Sequence, residues 1–90
     1  MDFEWDAAKA ASNLAKHGVS FEIAHDFDWD SSPIVPDLRF DYGEARYLAY
    51  GPAADGQKYV IAFTFRGGAC RIISVRRFGR KEHRVYDHKG

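Results

Sequence analysis

Two alternating runs joined by Gly67-Gly68 constrain this chain more than any other feature. Tyr59, Ile61, Phe63 and Phe65 recur at every second position, the spacing at which strand side chains share one face. The glycine pair suits a tight hairpin. Cys70 to Phe78 then returns as a second strand, with Ile73 and Val75 expected on one face and Ile72 on the other. Arg46 to Tyr50 reads as a further strand, ended by Gly51-Pro52 and followed by the turn signal Asp55-Gly56. An antiparallel meander of three strands follows. A fourth strand is expected between Pro33 and Phe40, at an edge, because the two prolines there cannot complete an interior ladder.

The first third of the chain has a helical period instead. Phe3-Glu4-Trp5 alternates as a short strand would, with Phe3 and Trp5 towards the core. Asp6 is a good N-cap for Ala7 to His17, which places Ala7, Ala11 and Leu14 at helical spacing. Gly18 stands where a left-handed C-cap belongs, and Lys16 and His17 complement the helix dipole. Ser20 caps a second expected helix, Phe21 to Phe27, whose buried stripe is Phe21, Ala24 and Phe27. A short terminal helix, Arg80 to His88, completes an α+β fold in which N-terminal helices pack on a three- to four-stranded antiparallel sheet.

Ninety residues hold one small core, so residues 1–90 are read as a single domain. Cys70 is the one cysteine, which excludes an internal disulfide and a cysteine-rich zinc site. No apolar run reaches the roughly 20 residues of a membrane span, and the acidic start Met1-Asp2-Phe3-Glu4 is unlike a signal peptide. A soluble cytoplasmic protein is expected. The formal net charge of zero hides a division: residues 1–45 carry ten acidic and three basic side chains, residues 46–90 three acidic and ten basic. Such a dipolar chain presents a basic surface to a polyanion.

The basic charge gathers in Arg71 to Tyr86, RIISVRRFGRKEHRVY. Arginine stays cationic and forks onto phosphate oxygens, so Arg71, Arg76, Arg77 and Arg80, with Lys81, Arg84 and Lys16, are candidate phosphate ligands. Strict alternation puts Arg71 and Arg77 on one face and Arg76 on the other, and the two faces cannot form one site. Either the strand bulges near its end, or one arginine pairs with an acidic residue such as Glu44 for structural reasons. His17, Lys16, Glu82, His83 and Tyr86 are the acid–base candidates. For each there is a structural alternative: His17 and Lys16 as a capping pair, Glu82 in a salt bridge, Tyr86 in packing. His83 and His88 with Asp87 lack the spacing and the ligand number of a metal site, so no metal is expected. Asp26, Asp28, Asp30, Asp37 and Asp41 are read as a solubilising or docking surface.

The chain resembles the BrnT-like toxins of bacterial type II toxin–antitoxin modules. The resemblance lies in Phe3-Glu4-Trp5-Asp6 with Lys9 and Asn13, in Lys16-His17-Gly18-Val19-Ser20-Phe21, in Gly43-Glu44 with Arg46, and in Arg71 to Arg77 followed by Glu82 and Tyr86. Val75 stands where members usually have alanine, and Phe78 and Gly79 replace residues that are often small or polar. The resemblance implies a RelE-like fold and a metal-independent endoribonuclease that inhibits translation, with no cofactor. On that basis Arg76, Arg77, Glu82, His17 and Tyr86 are the expected catalytic residues, and Arg71, Arg80, Lys81, Arg84 and Lys16 the expected RNA phosphate ligands. It also implies a BrnA-like antitoxin with a DNA-binding region, in a toxin–antitoxin heterotetramer that binds operator DNA through the antitoxin. The alternative is a non-catalytic nucleic-acid-binding or protein-interaction module with the same fold.

Overall fold

In the computed structural model, which describes residues 1–87, the order is β1 (Phe3–Glu4), α1 (Ala7–His17), α2 (Ile23–Asp26), β2 (Ile34–Pro36), β3 (Tyr47–Pro52), β4 (Lys58–Arg66), β5 (Ala69–Arg77) and α3 (Arg80–Tyr86). The strands form one five-stranded sheet, β1-β5-β4-β3-β2. The meander β3-β4-β5 is antiparallel, and the proline-flanked strand β2 does lie at an edge. The expected all-antiparallel sheet of three or four strands is corrected by β1, which joins β5 in parallel through Phe3↔Cys70 and Glu4↔Arg71. Alternation marks a short strand at Phe3–Glu4, but two residues carry nothing that tells which strand they join or in which direction. Among the described residues no helix is long and apolar enough to cross a membrane.

One face of the sheet is the core. Ala49, Tyr59, Ile61, Phe63, Cys70, Ile72 and Val75 point into it and meet Val19, Phe21, Ala24 and Phe27, with Trp5 and Trp29 packed at its border. Phe65, expected in the same row, is 57% exposed because it lies at the hairpin end, past the segments that cover the sheet. The second helix is shorter than expected, Ile23–Asp26, since Phe21 and Glu22 form a turn. Its stripe of Phe21, Ala24 and Phe27 is nevertheless buried.

Helix α1 begins and ends as its sequence requires: Asp6 accepts the Lys9 N–H at 2.9 Å, and Gly18 adopts φ 68°, where a side chain would be strained. Its buried residue is not Leu14, which is 53% exposed, nor Ala7 or Ala11, but Asn13. The Asn13 amide donates to the carbonyls of Val19 (3.0 Å) and Val75 (2.8 Å) and accepts the Val75 N–H (3.2 Å). It thus satisfies the outer edge of β5 beyond the point where β1 ends.

Strand β5 is not regular. Its register with β4 slips between Ala62↔Ser74 and Phe63↔Ile72, leaving Ile73 unpaired in a bulge. This overturns the expected grouping of Ile73 with Val75: Cys70, Ile72 and Val75 are buried, while Ile73 is half-exposed at the edge. The slip also moves Arg71, paired with Thr64, onto the same face as Arg76, paired with Val60.

Candidate active site

The sheet's second face, opposite α1 and α2, is floored by small residues and rimmed by long charged ones. Tyr50, Val60 and Arg76 stand in one cross-strand row, and Leu48, Ala62 and Ser74 in the next. Val60 and Ala62 are buried. Above them is a basin of about 230 Å³ lined by Arg39, Tyr50, Ser74, Arg76, Lys81 and Glu82.

Two side chains cross at its centre. Gly79 precedes α3 with extended backbone, and Glu82 folds back so that its Oε1 accepts the Gly79 N–H at 2.6 Å. The same oxygen accepts Arg76 Nη1 at 2.9 Å. This hydrogen bond from Arg76 is the main cause that holds the Glu82 carboxyl below its usual range.

Across the basin, Arg39 is gripped by Asp37, which accepts its Nε and Nη2 at 2.8 Å each. Asp37 is buried and also accepts the Tyr42 hydroxyl at 3.0 Å. The segment beyond is braced by Arg46, whose guanidinium lies 4.2 Å over the Tyr42 ring and whose Nε donates to Glu44 at 3.0 Å. Glu44 binds Arg66 as well, at 3.0 Å. Sequence reasoning missed Arg39 because it stands in the acidic half of the chain, between Leu38 and Phe40. The spacing Asp37-x-Arg39 was the only local sign.

The expected site residues do not all meet here. Arg76, Lys81 and Glu82 line the basin, whereas Arg77 projects to the opposite face. There it donates to Gln57 (2.8 Å) and to the His17 carbonyl (3.4 Å), beside a separate cavity shared with Lys58 and His83. Lys16 and His17 line a groove between α1 and β5 with Lys9 and Ser12, and this groove touches the basin only through Ser74. Arg71 shares the basin's face but lies four β4 residues from Arg76 in register, about 13 Å. It pairs with Glu4 at 3.8 Å, not with Glu44. Arg80 and Arg84 are exposed on α3. Tyr86 stacks on Tyr50, with ring centres 4.5 Å apart and planes 14° from parallel, and burial pushes its phenol up. His83 is held by Asp87 at 2.7 Å, and His88 lies outside the described residues.

The basin therefore brings together Arg39, Arg76 and Lys81 with an ionised carboxylate over a floor of Leu48 and Val60, the elements of phosphate-ester chemistry. A family model described as "Ribonuclease toxin, BrnT, of type II toxin-antitoxin system" matches residues 5–82. The chain belongs to the BrnT family. Arg39, Arg76, Lys81 and Glu82 all fall within the matched segment, and Tyr86 lies beyond it. Among solved structures, the chain is similar to the Brucella abortus ribonuclease toxin BrnT, a crystal structure at 1.1 Å resolution. The likeness has a TM-score of 0.66 at 26% identity and covers 89% of this chain and 99% of that one. No curated protein gives a significant match. Membership in a family of type II toxins implies an antitoxin partner.

Proposed function

We propose that this BrnT-family chain is a RelE-like endoribonuclease toxin that cleaves RNA without a metal, inhibits translation, and does its chemistry in the basin on the second face of the sheet. The observation that carries this reading is the Arg76–Glu82 pair at 2.9 Å, with the braced Arg39 across the basin. An RNA phosphate entering the basin competes for the Arg76 guanidinium. Glu82 then loses the cation that depresses its proton affinity and becomes a stronger base. It takes the proton from the ribose 2′-hydroxyl, whose oxygen attacks phosphorus. Arg76 and Arg39 stabilise the charge on the phosphorane, in place of a metal. The 5′-oxygen leaves with a proton from Lys81, yielding a 2′,3′-cyclic phosphate and a 5′-hydroxyl.

Lys16, Arg80 and Arg84 extend the cationic surface to neighbouring phosphates, and Arg71 lies further along the same face. Arg77 and His17 serve at the junction of α1 and β5, outside the reacting centre. The partner is a BrnA-like antitoxin with a DNA-binding region, joined in a heterotetramer that reaches operator DNA through the antitoxin, in the cytoplasm. Incubation of the purified protein with RNA in EDTA tests the enzyme. Cleavage is expected to persist, and Arg76→Ala to lower its rate by about two to three orders of magnitude. Binding without any cleavage would instead leave a nucleic-acid-binding module, and cleavage unchanged in Arg76→Ala would place the chemistry elsewhere.

A further inference from the structure

A further cavity, of about 210 Å³, opens behind Tyr50. Tyr50 is a wall of both spaces, so the two lie side by side. The other walls are Phe78 and Tyr86, with Lys58, Asp87 and Ser31 among the polar lining. Phe78 lies 5.7 Å from the Tyr86 ring and 6.4 Å from the Tyr50 ring, which makes an aromatic corner rather than a single exposed face. The Lys58 ammonium and the Asp87 carboxylate are paired, placing a donor and an acceptor side by side. The backbone is also adapted to the space: a Cβ on Gly51 would fall 1.8 Å from Ser32 Oγ, so this wall forms only with glycine at that position.

We infer that this cavity is a nucleobase subsite, which holds the base of a nucleotide next to the phosphate in the basin. The inference rests on reading the basin as the RNA site. Aromatic side chains bind bases through the π-face, and a polar rim adds contacts to the base edge. The volume is below that of ordinary small-molecule pockets and suits one ring system rather than a whole nucleotide. The arrangement gives Tyr86 a chemical task other than proton transfer: its ring supports Tyr50 and borders the base.

The test uses the full chain and a short RNA with a 2′-deoxy sugar at the cleavage position, so that binding is read without chemistry. 2-Aminopurine placed at successive positions is expected to be quenched by stacking at one of them. An abasic residue at that position weakens binding about tenfold. Tyr86→Ala weakens the intact RNA by a similar factor, adds nothing on the abasic RNA, and Tyr86→Phe restores the wild-type value. Equal loss on intact and abasic RNA, or no position whose base matters, overturns the subsite. Base-dependent binding by a protein that never cuts RNA would sink the ribonuclease reading and keep the subsite. Cleavage that is blind to the base at every position would do the reverse.

Discussion

Asp37 is a buried carboxylate surrounded by donors, and its role is to aim Arg39. Burial alone would raise its proton affinity, but the two bonds from the Arg39 side chain win, and the carboxyl is held well below the usual carboxylate range. The Arg39 side chain is 63% exposed, so the ion pair itself contributes little through bulk water. The larger effect is the loss of partners for a buried group. Asp37→Asn is therefore expected to destabilise the protein by about 1–2 kcal/mol at pH 7. Because the folded-state proton affinity is depressed, this stabilisation is fully present above the unfolded carboxylate value, about 3.9, and disappears as pH falls through the folded one. Urea unfolding of both proteins should show a constant gap from pH 5 to 8 that narrows only in strong acid. A gap unchanged at the lowest pH would mean that the carboxylate's charge is irrelevant.

At the scale of elements, β5 decides where the chemistry sits. The run Ile72-Ile73-Ser74-Val75 shows three apolar residues in four, so nothing in it marks which one is extruded. The bulge at Ile73 is selected by contacts on both sides: Phe63 must face the core through Ile72, and Val75 must meet Asn13. Asn13→Ala would strand the Val75 N–H and two carbonyls that this side chain satisfies. The expected cost is about 3 kcal/mol. Denaturant titration reads that loss, and amide hydrogen exchange at Val75 should accelerate beyond it if the edge opens locally. A variant as stable as the wild type would show that water replaces the amide. The opposite edge is protected differently. Pro36 lies within β2 and lacks an N–H, and Pro33 immediately precedes the strand, so it offers few donors to an approaching chain.

Across the whole molecule, the charge division survives folding in a reduced form. Arg46 and Arg66 are tied to Glu44, Arg71 to Glu4, Arg39 to Asp37 and Lys58 to Asp87. Among the described residues the candidate ligands without such a partner are Lys16, Arg80, Lys81 and Arg84, and the proposed chemistry adds Arg39 and, once phosphate displaces Glu82, Arg76. Six phosphate contacts to a single strand give a slope of about −4 for log K against log salt. Fluorescence anisotropy with a non-cleavable RNA between low and physiological salt measures it. A slope of about −6 or steeper would mean that the arginines paired with Glu44 and Glu4 also bind RNA.

The helix caps at Asp6 and Gly18, the meander, the edge strand with its prolines and the buried stripe Phe21, Ala24, Phe27 were legible because each depends on neighbours in sequence. Arg76, Lys81 and Glu82 were legible as site candidates for the same reason, since they are close along the chain. The parallel pairing of β1, the position of the bulge at Ile73 and Asn13 on the edge of β5 were not, although alternation marks a short first strand, a bulge as one of two alternatives, and opposite faces for Arg76 and Arg77. Arg39 was hidden most completely, thirty-seven positions before its neighbour across the basin. These features depend on which backbone groups lack partners and which faces close together, and only the packed sheet determines that. The sequence by itself determined the chemistry available, an arginine-rich surface with one carboxylate among the cations. The tertiary structure decided which of those groups share a face.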